Sequence, residues 1–382
     1  MPQGTSFAVL FALSALARGT MITVLPLLAH RALGDAQLVS ELYFVVSLVS
    51  LTSTLAIPWV TRRLGKRWVL TGGALLMLAA YLVIATETMP WVMLGMMMQL
   101  CGVLGVELTL NVYILEHVAR RDFVRFEPLR VFLSAGPWTV GPWLGVWLGL
   151  HVAPWAPFAF SVAVMAVLLA AFWSLGVARR PDPPLARPAP VNPLRFIPRF
   201  VRQPRLRLAW MIAFGRASWW YMFFIYAPIY VVTSGLGDEM AGAIVSIGSG
   251  MVFVAPAWGW ATRRWGLRRI LMIGFVAGGL LTLGVAAFGS SPWLGVAFFM
   301  AACVGLSAID GVGNMPFFRA VRPLERAEMT AVFGMYRDTA QLLPPGLFAL
   351  MLKALPLASV FVVSGLGMLG LAWLARYIPR RM

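Results

Sequence analysis

The chain contains the stretch Pro58-Trp59-Val60-Thr61-Arg62-Arg63-Leu64-Gly65-Lys66-Arg67, and a near copy returns as Gly259-Trp260-Ala261-Thr262-Arg263-Arg264-Trp265-Gly266-Leu267-Arg268. The two copies share the pattern Trp-x-Thr-Arg-Arg-x-Gly and stand 201 positions apart. Each copy lies between two long apolar runs, which is typical of a short basic hinge joining two membrane helices. The sequence therefore predicts one membrane-embedded unit made twice.

Composition places the chain in the membrane. Of its 382 residues, 60% are hydrophobic and 12% are charged, and the mean hydropathy is +0.82. A water-soluble globule would need far more surface charge. The net charge of +17 does not indicate a nucleic-acid partner, because the basic residues occupy short connections rather than one folded basic face. Both cysteines, Cys101 and Cys303, lie inside apolar runs, so neither a disulfide framework, a metal site nor a cofactor is expected.

The apolar runs predict an all-α membrane protein with twelve transmembrane helices, arranged as two six-helix bundles related by pseudo-twofold symmetry. A spanning helix needs about 20 mostly apolar residues. The expected domains are an N-terminal bundle (1–178), a Pro- and Arg-rich cytoplasmic linker (179–207) with a short helix near its end, and a C-terminal bundle (208–382). The predicted spans are 7–28, 38–60, 68–87, 91–116, 129–151, 155–177, 208–232, 240–261, 269–289, 292–317, 329–352 and 357–376.

Basic residues set the orientation. Lys and Arg in short loops stay cytoplasmic. If the N-terminus lies in the cytoplasm, Arg31 and Lys353 are the only basic loop residues predicted on the opposite side of the membrane. We therefore expect a multi-pass protein with both termini cytoplasmic, in a plasma membrane of the bacterial inner-membrane type. Its expected partners are the lipid bilayer, a small-molecule substrate and protons, with no nucleic acid, and the chain is expected to be a monomer.

Six ionisable residues fall well inside the predicted spans. An ionisable group at the centre of a span costs roughly 2.5–3.5 kcal/mol on insertion scales, so each should face a protein interior or a wet cavity. Structural ion pairing is the alternative to a functional role. These residues are Arg18, Arg216, Arg337, Glu107, Asp310 and Asp338.

The repeat pairs several of these residues. Glu107 and Asp310 are 203 positions apart, as are Asn111 and Asn314, so spans four and ten both carry an acid and an Asn one helical turn apart on one face. Arg18 and Arg216 stand at similar depth in spans one and seven. Two arginines and two acids around a pseudo-twofold axis would surround one central site between the halves.

Chemistry suggests separate roles for the two residue types. An Arg stays protonated and can attract an anion, whereas a carboxylate can take up and release a proton when an Arg partner leaves it. The two arginines slightly favour an anionic or zwitterionic organic substrate, and Asn111 and Asn314 would position both the arginines and the acids.

Two questions stay open. Arg337-Asp338, with Gln341 one turn on, fits either a coupling or a locking role, and Trp219, Trp220 and Phe223 fit either an aromatic wall beside Arg216 or packing.

The whole chain resembles the major facilitator superfamily of secondary transporters. The family's loop signature is Gly-x-x-x-Asp-Arg-x-Gly-Arg-Arg, which Arg63, Gly65, Lys66 and Arg67 match in the first copy and Gly259, Arg264, Gly266 and Arg268 in the second. Pro58 and Leu267 depart from it. Span five also carries Gly136-Pro137-Trp138-Thr139-Val140-Gly141-Pro142-Trp143-Leu144-Gly145, which is partly similar to the Gly-Pro-x-x-Gly core of a motif of the family's exporters. The resemblance implies a secondary transporter of a small organic solute that works by alternating access, and the buried carboxylates add the expectation that transport is coupled to protons.

Two other classes are weighed against a transporter of that kind. A receptor, a scaffold or an uncoupled facilitator with the same fold would hold the buried charges as fixed pairs. An enzyme is disfavoured, because His30, His117 and His151 lie near span ends and form no metal-ligand cluster with the buried acids.

The cytoplasmic gate departs most from the family. Arg62 and Arg263 stand where the family has Asp, which removes the usual acidic partner of the opposite half. Glu127 and Glu328 lie at the starts of spans five and eleven, where the helix dipole favours an acid. We predict a reversed latch, Arg62 to Glu328 and Arg263 to Glu127. The gate then comprises Arg62, Arg63, Gly65, Glu127, Arg263, Arg264, Gly266 and Glu328.

Charge exchange tests the reversed latch. Arg62→Glu and Glu328→Arg should each impair transport, and the double exchange should restore it, because an ion pair worth under about 1 kcal/mol can still bias a nearly balanced equilibrium. The measurement is solute flux in proteoliposomes. Two inactive single variants whose combination stays inactive would rule this pairing out.

Overall fold

The computed structural model describes residues 3–118, 123–177, 193–322 and 325–379. Nearly all of these residues are helical, and no strand occurs among them. In chain order the helices are α1 (Gln3–Leu33), α2 (Ala36–Leu64), α3 (Lys66–Ile84), α4 (Met89–His117), α5 (Phe123–His151), α6 (Ala156–Ser174), α7 (Pro193–Val201), α8 (Pro204–Thr233), α9 (Asp238–Gly250), α10 (Ala255–Trp265), α11 (Leu267–Phe288), α12 (Pro292–Val312), α13 (Met315–Ala320), α14 (Arg326–Gly334), α15 (Tyr336–Met351) and α16 (Ala358–Ala375).

The repeated stretch has the same local structure in both copies. Gly65 alone separates α2 from α3, and Gly266 alone separates α10 from α11. Their φ angles are 82° and 86°, in a region that glycine adopts readily and other residues adopt at a cost. The predicted hinge is therefore a single glycine in each copy, flanked on its N-terminal side by two arginines.

Nine segments of the described chain are long and apolar enough to cross a membrane, which makes the protein a multi-pass membrane protein. They are Thr5–Leu33, Ala36–Leu64, Lys66–Ile84, Met89–His117, Ala156–Ser174, Asp238–Trp265, Leu267–Phe288, Pro292–Ala320 and Ala358–Ala375. The expected number of twelve spans is not confirmed by this criterion. Predicted spans five and seven correspond to α5 and α8, which have 29 and 30 residues and so are long enough to cross a membrane, but which are not among these nine segments.

Predicted span eleven is interrupted, and so are spans eight and ten. Met335 separates α14 from α15, and a 3₁₀ turn at Met251–Val254 separates α9 from α10. Helix α12 ends at Val312, just before Pro316, whose ring lacks an N–H donor and crowds the carbonyl four residues earlier. The first-half counterpart, α4, runs without interruption. The sequence analysis did not predict these breaks, because the continuity of an apolar run does not report them, and Asp238–Trp265 and Pro292–Ala320 still count as membrane-crossing segments that match predicted spans eight and ten.

The described residues divide into two compact units. Unit 1 contains residues 3–177 together with 238–246, and unit 2 contains 193–237 and 247–379. In unit 1, the start of α9 packs on α5, where the Ser246 hydroxyl accepts a hydrogen bond from the Trp143 amide (2.8 Å). The expected domain boundaries at 178 and 208 stay a prediction.

The short helix predicted near the end of the linker is present as α7 in unit 2. Phe200 is buried against α8, α13 and α14, in contact with a cluster that includes Phe317 and Met329. At its polar edge, Arg199 forms an ion pair with Glu325, and the Gln203 amide donates to the same carboxylate (3.0 Å). The hydrogen bonds from Gln203 and Arg199 lower the pKa of Glu325.

Glycines let neighbouring helices approach backbone to backbone. A Cβ added at Gly73 of α3 would lie 2.9 Å from the Gly102 carbonyl oxygen of α4 and 3.1 Å from the Val106 nitrogen. Unit 2 repeats this contact, since a Cβ at Gly274 of α11 would lie 2.9 Å from the Gly305 carbonyl oxygen of α12. Small residues are typical of such membrane helix interfaces.

Two adjacent glycines provide a test of this contact. Gly73→Ala should destabilise the protein by about 1–3 kcal/mol, because the obstructing atoms belong to backbone that cannot turn aside. Gly72→Ala is the matched control, since nothing lies within 4 Å of its added Cβ and Ala favours helix by about 1 kcal/mol. Thermal unfolding in detergent measures both, and equal melting temperatures would contradict the proposed contact.

Candidate functional site

In unit 1, Arg18 and Glu107 form an ion pair between the middles of α1 and α4. Their side chains are 23% and 32% exposed, so neither side chain is fully buried. The Arg18 guanidinium also lies over the Trp138 ring of α5, 5.3 Å from its centroid. The sequence placed these two charges on separate spans, and the fold brings them together.

The Gly-Pro motif of α5 places Trp138 beside Arg18. A Cβ added at Gly19 would lie 2.6 Å from the Pro137 carbonyl oxygen, and one at Gly141 would lie 2.6 Å from the Gly19 carbonyl carbon. A Cβ at Gly145 would collide with the Thr20 carbonyl. The three glycines therefore let α1 and α5 touch along the turn that carries Arg18. In this structure the motif serves close packing next to the ion pair.

In unit 2, Arg216 of α8 and Asp310 of α12 form the corresponding pair. The Arg216 Nε atom lies 3.4 Å from the Asp310 Oδ1 atom, and the Trp220 indole N–H donates to the other carboxylate oxygen at 2.7 Å. Trp220 is one helical turn after Arg216, so α8 supplies both donors. The carboxylate thus has a charged donor and a neutral one.

Arg216 also contacts two of the three helix breaks of this unit. Its Nη2 group donates to the Asn314 side-chain oxygen (3.3 Å), between α12 and α13, and to the Tyr336 hydroxyl (3.1 Å), at the start of α15. A Cβ added at Gly313 would lie 3.2 Å from its guanidinium. One cation therefore connects α8, α12 and α15 where two of those helices begin or end.

Tyr336 is a site residue that sequence reasoning missed. It follows the break at Met335, is 4% exposed, and receives a second hydrogen bond from the Arg337 Nε atom (3.2 Å). Gln341, one turn later, accepts from the Tyr221 hydroxyl (3.4 Å). A tyrosine in an aromatic-rich apolar chain carries little signal by itself, although its position beside Arg337-Asp338 was a clue.

The aromatic residues after Arg216 divide between two roles. Trp219 and Phe223 are buried and stack on each other with centroids 5.4 Å apart, and the Trp219 indole donates to Thr282. Trp220 is partly exposed and bonds Asp310. Two members of the predicted aromatic wall are therefore packing residues, and one belongs to the site.

Asn111 and Asn314 differ in their hydrogen bonds. Asn314 accepts from Arg216, whereas the Asn111 side chain is exposed and has no hydrogen bond within the part of unit 1 that the structure describes. Asp338 of α15 is partly buried one residue beyond Arg337. The polar faces of spans four and ten therefore share a sequence pattern without sharing every contact.

The gate residues lie near the single-glycine hinges or at helix starts. Arg63 stacks over Trp59 (4.0 Å) and Arg264 over Trp260 (5.7 Å), so the Trp and the second Arg of the repeated pattern interact in both copies. Arg62 and Arg263 are exposed. Glu127 is bonded by Arg130, and Glu328 lies 3.7 Å from Arg199. The reversed latch stays a prediction.

A buried ion pair near the first hinge was also missed. Lys66, 9% exposed, forms an ion pair with Glu116 at the end of α4 and lies over the Tyr113 ring (5.2 Å). Its counterpart in the second copy is Leu267, which is buried without a charge. Within the described chain, no group of His, Cys, Asp and Glu is placed to hold a metal ion.

Removing one partner of the Arg216–Asp310 pair should cost more than removing both. Arg216→Gln leaves a partly buried carboxylate without its cation, with an expected loss of up to about 3–5 kcal/mol. Adding Asp310→Asn should recover part of that loss. Arg31→Gln, in the more exposed Arg31–Asp238 pair, is the control and should cost under about 1 kcal/mol. Unfolding in detergent measures the wild type and the three variants, and a double variant that is no more stable than Arg216→Gln would contradict direct coupling.

Comparison with known proteins agrees with this architecture. A family model described as Major Facilitator Superfamily matches residues 7–345. No protein among the curated sequences matches the chain significantly. The fold is similar to that of the nucleoside transporter NupG, with a TM-score of 0.79, 14% identity and 99% of each chain covered.

Peptide transporters share the fold as well. A peptide transporter POT in complex with sulfate has a TM-score of 0.78 at 13% identity, covering 100% of this chain and 95% of that one. A POT family transporter in complex with 5-aminolevulinic acid has a TM-score of 0.77 at 13% identity, covering 97% and 94%. Because the family model spans most of its length, the chain belongs to the Major Facilitator Superfamily of membrane transporters.

Proposed function

We propose that the protein is a proton-coupled secondary transporter of a small organic solute that works by alternating access. One observation carries the proposal: each compact unit holds an Arg–carboxylate pair in the middle of its membrane helices, Arg18 with Glu107 and Arg216 with Asp310. Ionisable groups at that depth are expensive and mark substrate or proton pathways by default. Family membership supports transport, and the pairs support coupling to protons.

The proton carriers in this proposal are the carboxylates. An Arg side chain stays protonated, whereas a carboxylate in a poorly solvated site binds a proton more tightly once its cation moves away. Movement that separates a pair on one side of the membrane would favour proton uptake there. Reformation of the pair would then release the proton.

Glu107 is the stronger candidate of the two acids. Its only hydrogen-bond partner among the described residues is Arg18. Asp310 keeps a neutral donor, Trp220, when Arg216 departs. Separation of Arg18 from Glu107 therefore changes the environment of that acid more completely, so we assign the main coupling role to Glu107.

The remaining features of the proposal come from the sequence repeat and the basic loops. Parallel repeats with a substrate site between them are a known transporter plan. We propose the same plan here, with bundles at 1–178 and 208–382 joined by the 179–207 linker. The charge distribution supports cytoplasmic termini in a bacterial-type plasma membrane, and we propose a monomer as the working unit.

Proton movement in proteoliposomes tests the function. Liposomes containing a pH-sensitive dye are exposed to a panel of nucleosides, dipeptides and small carboxylic acids, and a solute-dependent change of internal pH is expected for the wild type. Glu107→Gln should abolish it, because the amide cannot carry a proton. Glu87→Gln, the same change at an exposed carboxylate between α3 and α4, is the control and should retain most of the signal.

Two results would contradict this assignment. Unchanged proton movement in Glu107→Gln would remove the proton role of that residue. Solute flux without proton movement in the wild type would instead favour an uncoupled facilitator, and binding without flux would favour a receptor or scaffold.

A further inference from the structure

The Tyr336 hydroxyl is bonded by two guanidinium groups. Arg216 donates to it from α8 at 3.1 Å, and Arg337 donates from the neighbouring position on α15 at 3.2 Å. The ring is held by its neighbours, since Phe333 lies 5.2 Å away and Phe333 itself stacks on Phe317 at 4.0 Å. The hydroxyl therefore has a fixed position between two positive charges.

Hydrogen-bond accounting leaves the hydroxyl proton available. A guanidinium only donates, so the phenol oxygen accepts both bonds with its two lone pairs. The O–H group must donate elsewhere, and among the described residues of unit 2 the hydroxyl takes part in these two hydrogen bonds and donates none. Two cations also withdraw electron density from the oxygen, which makes this proton a stronger donor.

Arg337 is the cation of this cluster that lacks a carboxylate. Arg216 has Asp310, but no hydrogen bond or ion pair joins Arg337 to a carboxylate in the described part of the unit. Asp338, the next residue, contributes electrostatic attraction only. The Arg337 side chain is exposed although it lies in a predicted membrane span. An intramembrane guanidinium in that situation requires an anion or water.

The ion pair of unit 1 has different surroundings. Arg18 is paired with Glu107 and lies over the Trp138 ring. The face of an indole ring carries no hydroxyl group that could donate a hydrogen bond. The two units therefore differ at their pseudo-equivalent positions. In unit 2 the available donors, one O–H and one guanidinium, converge where α15 begins.

We propose that the Tyr336 hydroxyl and the Arg337 guanidinium bind an oxyanion of the transported solute, such as a carboxylate or a phosphate. This inference rests on the proposed transport function and narrows its substrate class to organic anions or zwitterions. An oxyanion accepts from both donors at once and supplies the charge that Arg337 lacks. Trp220 and Tyr221 of α8, which are partly exposed nearby, provide aromatic surface for the remainder of the solute.

Ligand-induced thermal stabilisation tests the inference with a matched pair of probes. Benzoate carries a carboxylate, and benzamide has the same ring without the charge. The purified full-length protein in detergent should melt at a higher temperature in benzoate than in sodium chloride of equal ionic strength, because a ligand of the folded state stabilises it. Benzamide should give little or no shift.

Two variants locate the effect. Arg337→Gln and Tyr336→Phe should each weaken the apparent benzoate affinity about tenfold or more, which is the size expected for a lost charged hydrogen bond. Tyr377→Phe is the matched control, since it removes a hydroxyl that accepts from Arg376 on the exposed end of the chain. If Tyr336→Phe does not fold, Arg337→Gln provides the same readout from an exposed position.

The outcomes separate this inference from the transport proposal. The inference is overturned if benzoate does not stabilise the wild type, if benzamide stabilises it equally, or if both variants retain the full benzoate shift. Benzoate binding that depends on Arg337, without proton movement in liposomes, would support the anion site and contradict coupled transport. Proton movement driven by a neutral solute, without a benzoate effect, would contradict the anion site alone.

Discussion

The cost of charge inside an apolar span is the constraint on which the structure depends. Each Arg or carboxylate at that depth needs a partner, water or a protein surface that replaces water. Arg18 meets Glu107 across α1 and α4, and Arg216 meets Asp310 across α8 and α12. Close packing supports the ion pair of unit 1, since glycines bring α1 against α5 beside Arg18 and α3 against α4 near Glu107. The position of the charged side chains therefore depends on the close packing of the apolar helices that carry them.

The two copies of the repeat share some features and differ in others. Both copies have the single-glycine hinge and the stacked Trp–Arg pair. The second copy has Pro316 and a break at Met335, and Arg216 bonds groups at both of these breaks. The first copy keeps α4 continuous and holds a simpler ion pair. Interrupted helices expose backbone and side-chain polar groups, which is why transporters place them around binding sites. We therefore associate unit 2 with the solute and unit 1 with the proton.

Sequence reasoning anticipated the features that follow from periodicity and burial cost. The membrane class, most of the helices, the repeated hinge and the family were predictable. It did not predict contacts that depend on side-chain direction after packing. Asn111 and Asn314 share a position in the repeat, yet only Asn314 meets its Arg. Tyr336, the Lys66–Glu116 pair and the breaks in three spans were missed, because hydropathy treats a kinked helix and a straight one alike.

The central claim is that a carboxylate in these pairs changes its protonation state when the pair separates. Infrared difference spectroscopy of the protein in lipid bilayers, recorded across a step from alkaline to acidic pH, observes that change directly through the carbonyl stretch of a protonated carboxylic acid. The account predicts such a band in the wild type and its selective loss in Glu107→Gln, with the Asp310→Asn variant retaining it. A spectrum without that band, or one in which Glu107→Gln leaves it unchanged, would contradict the account.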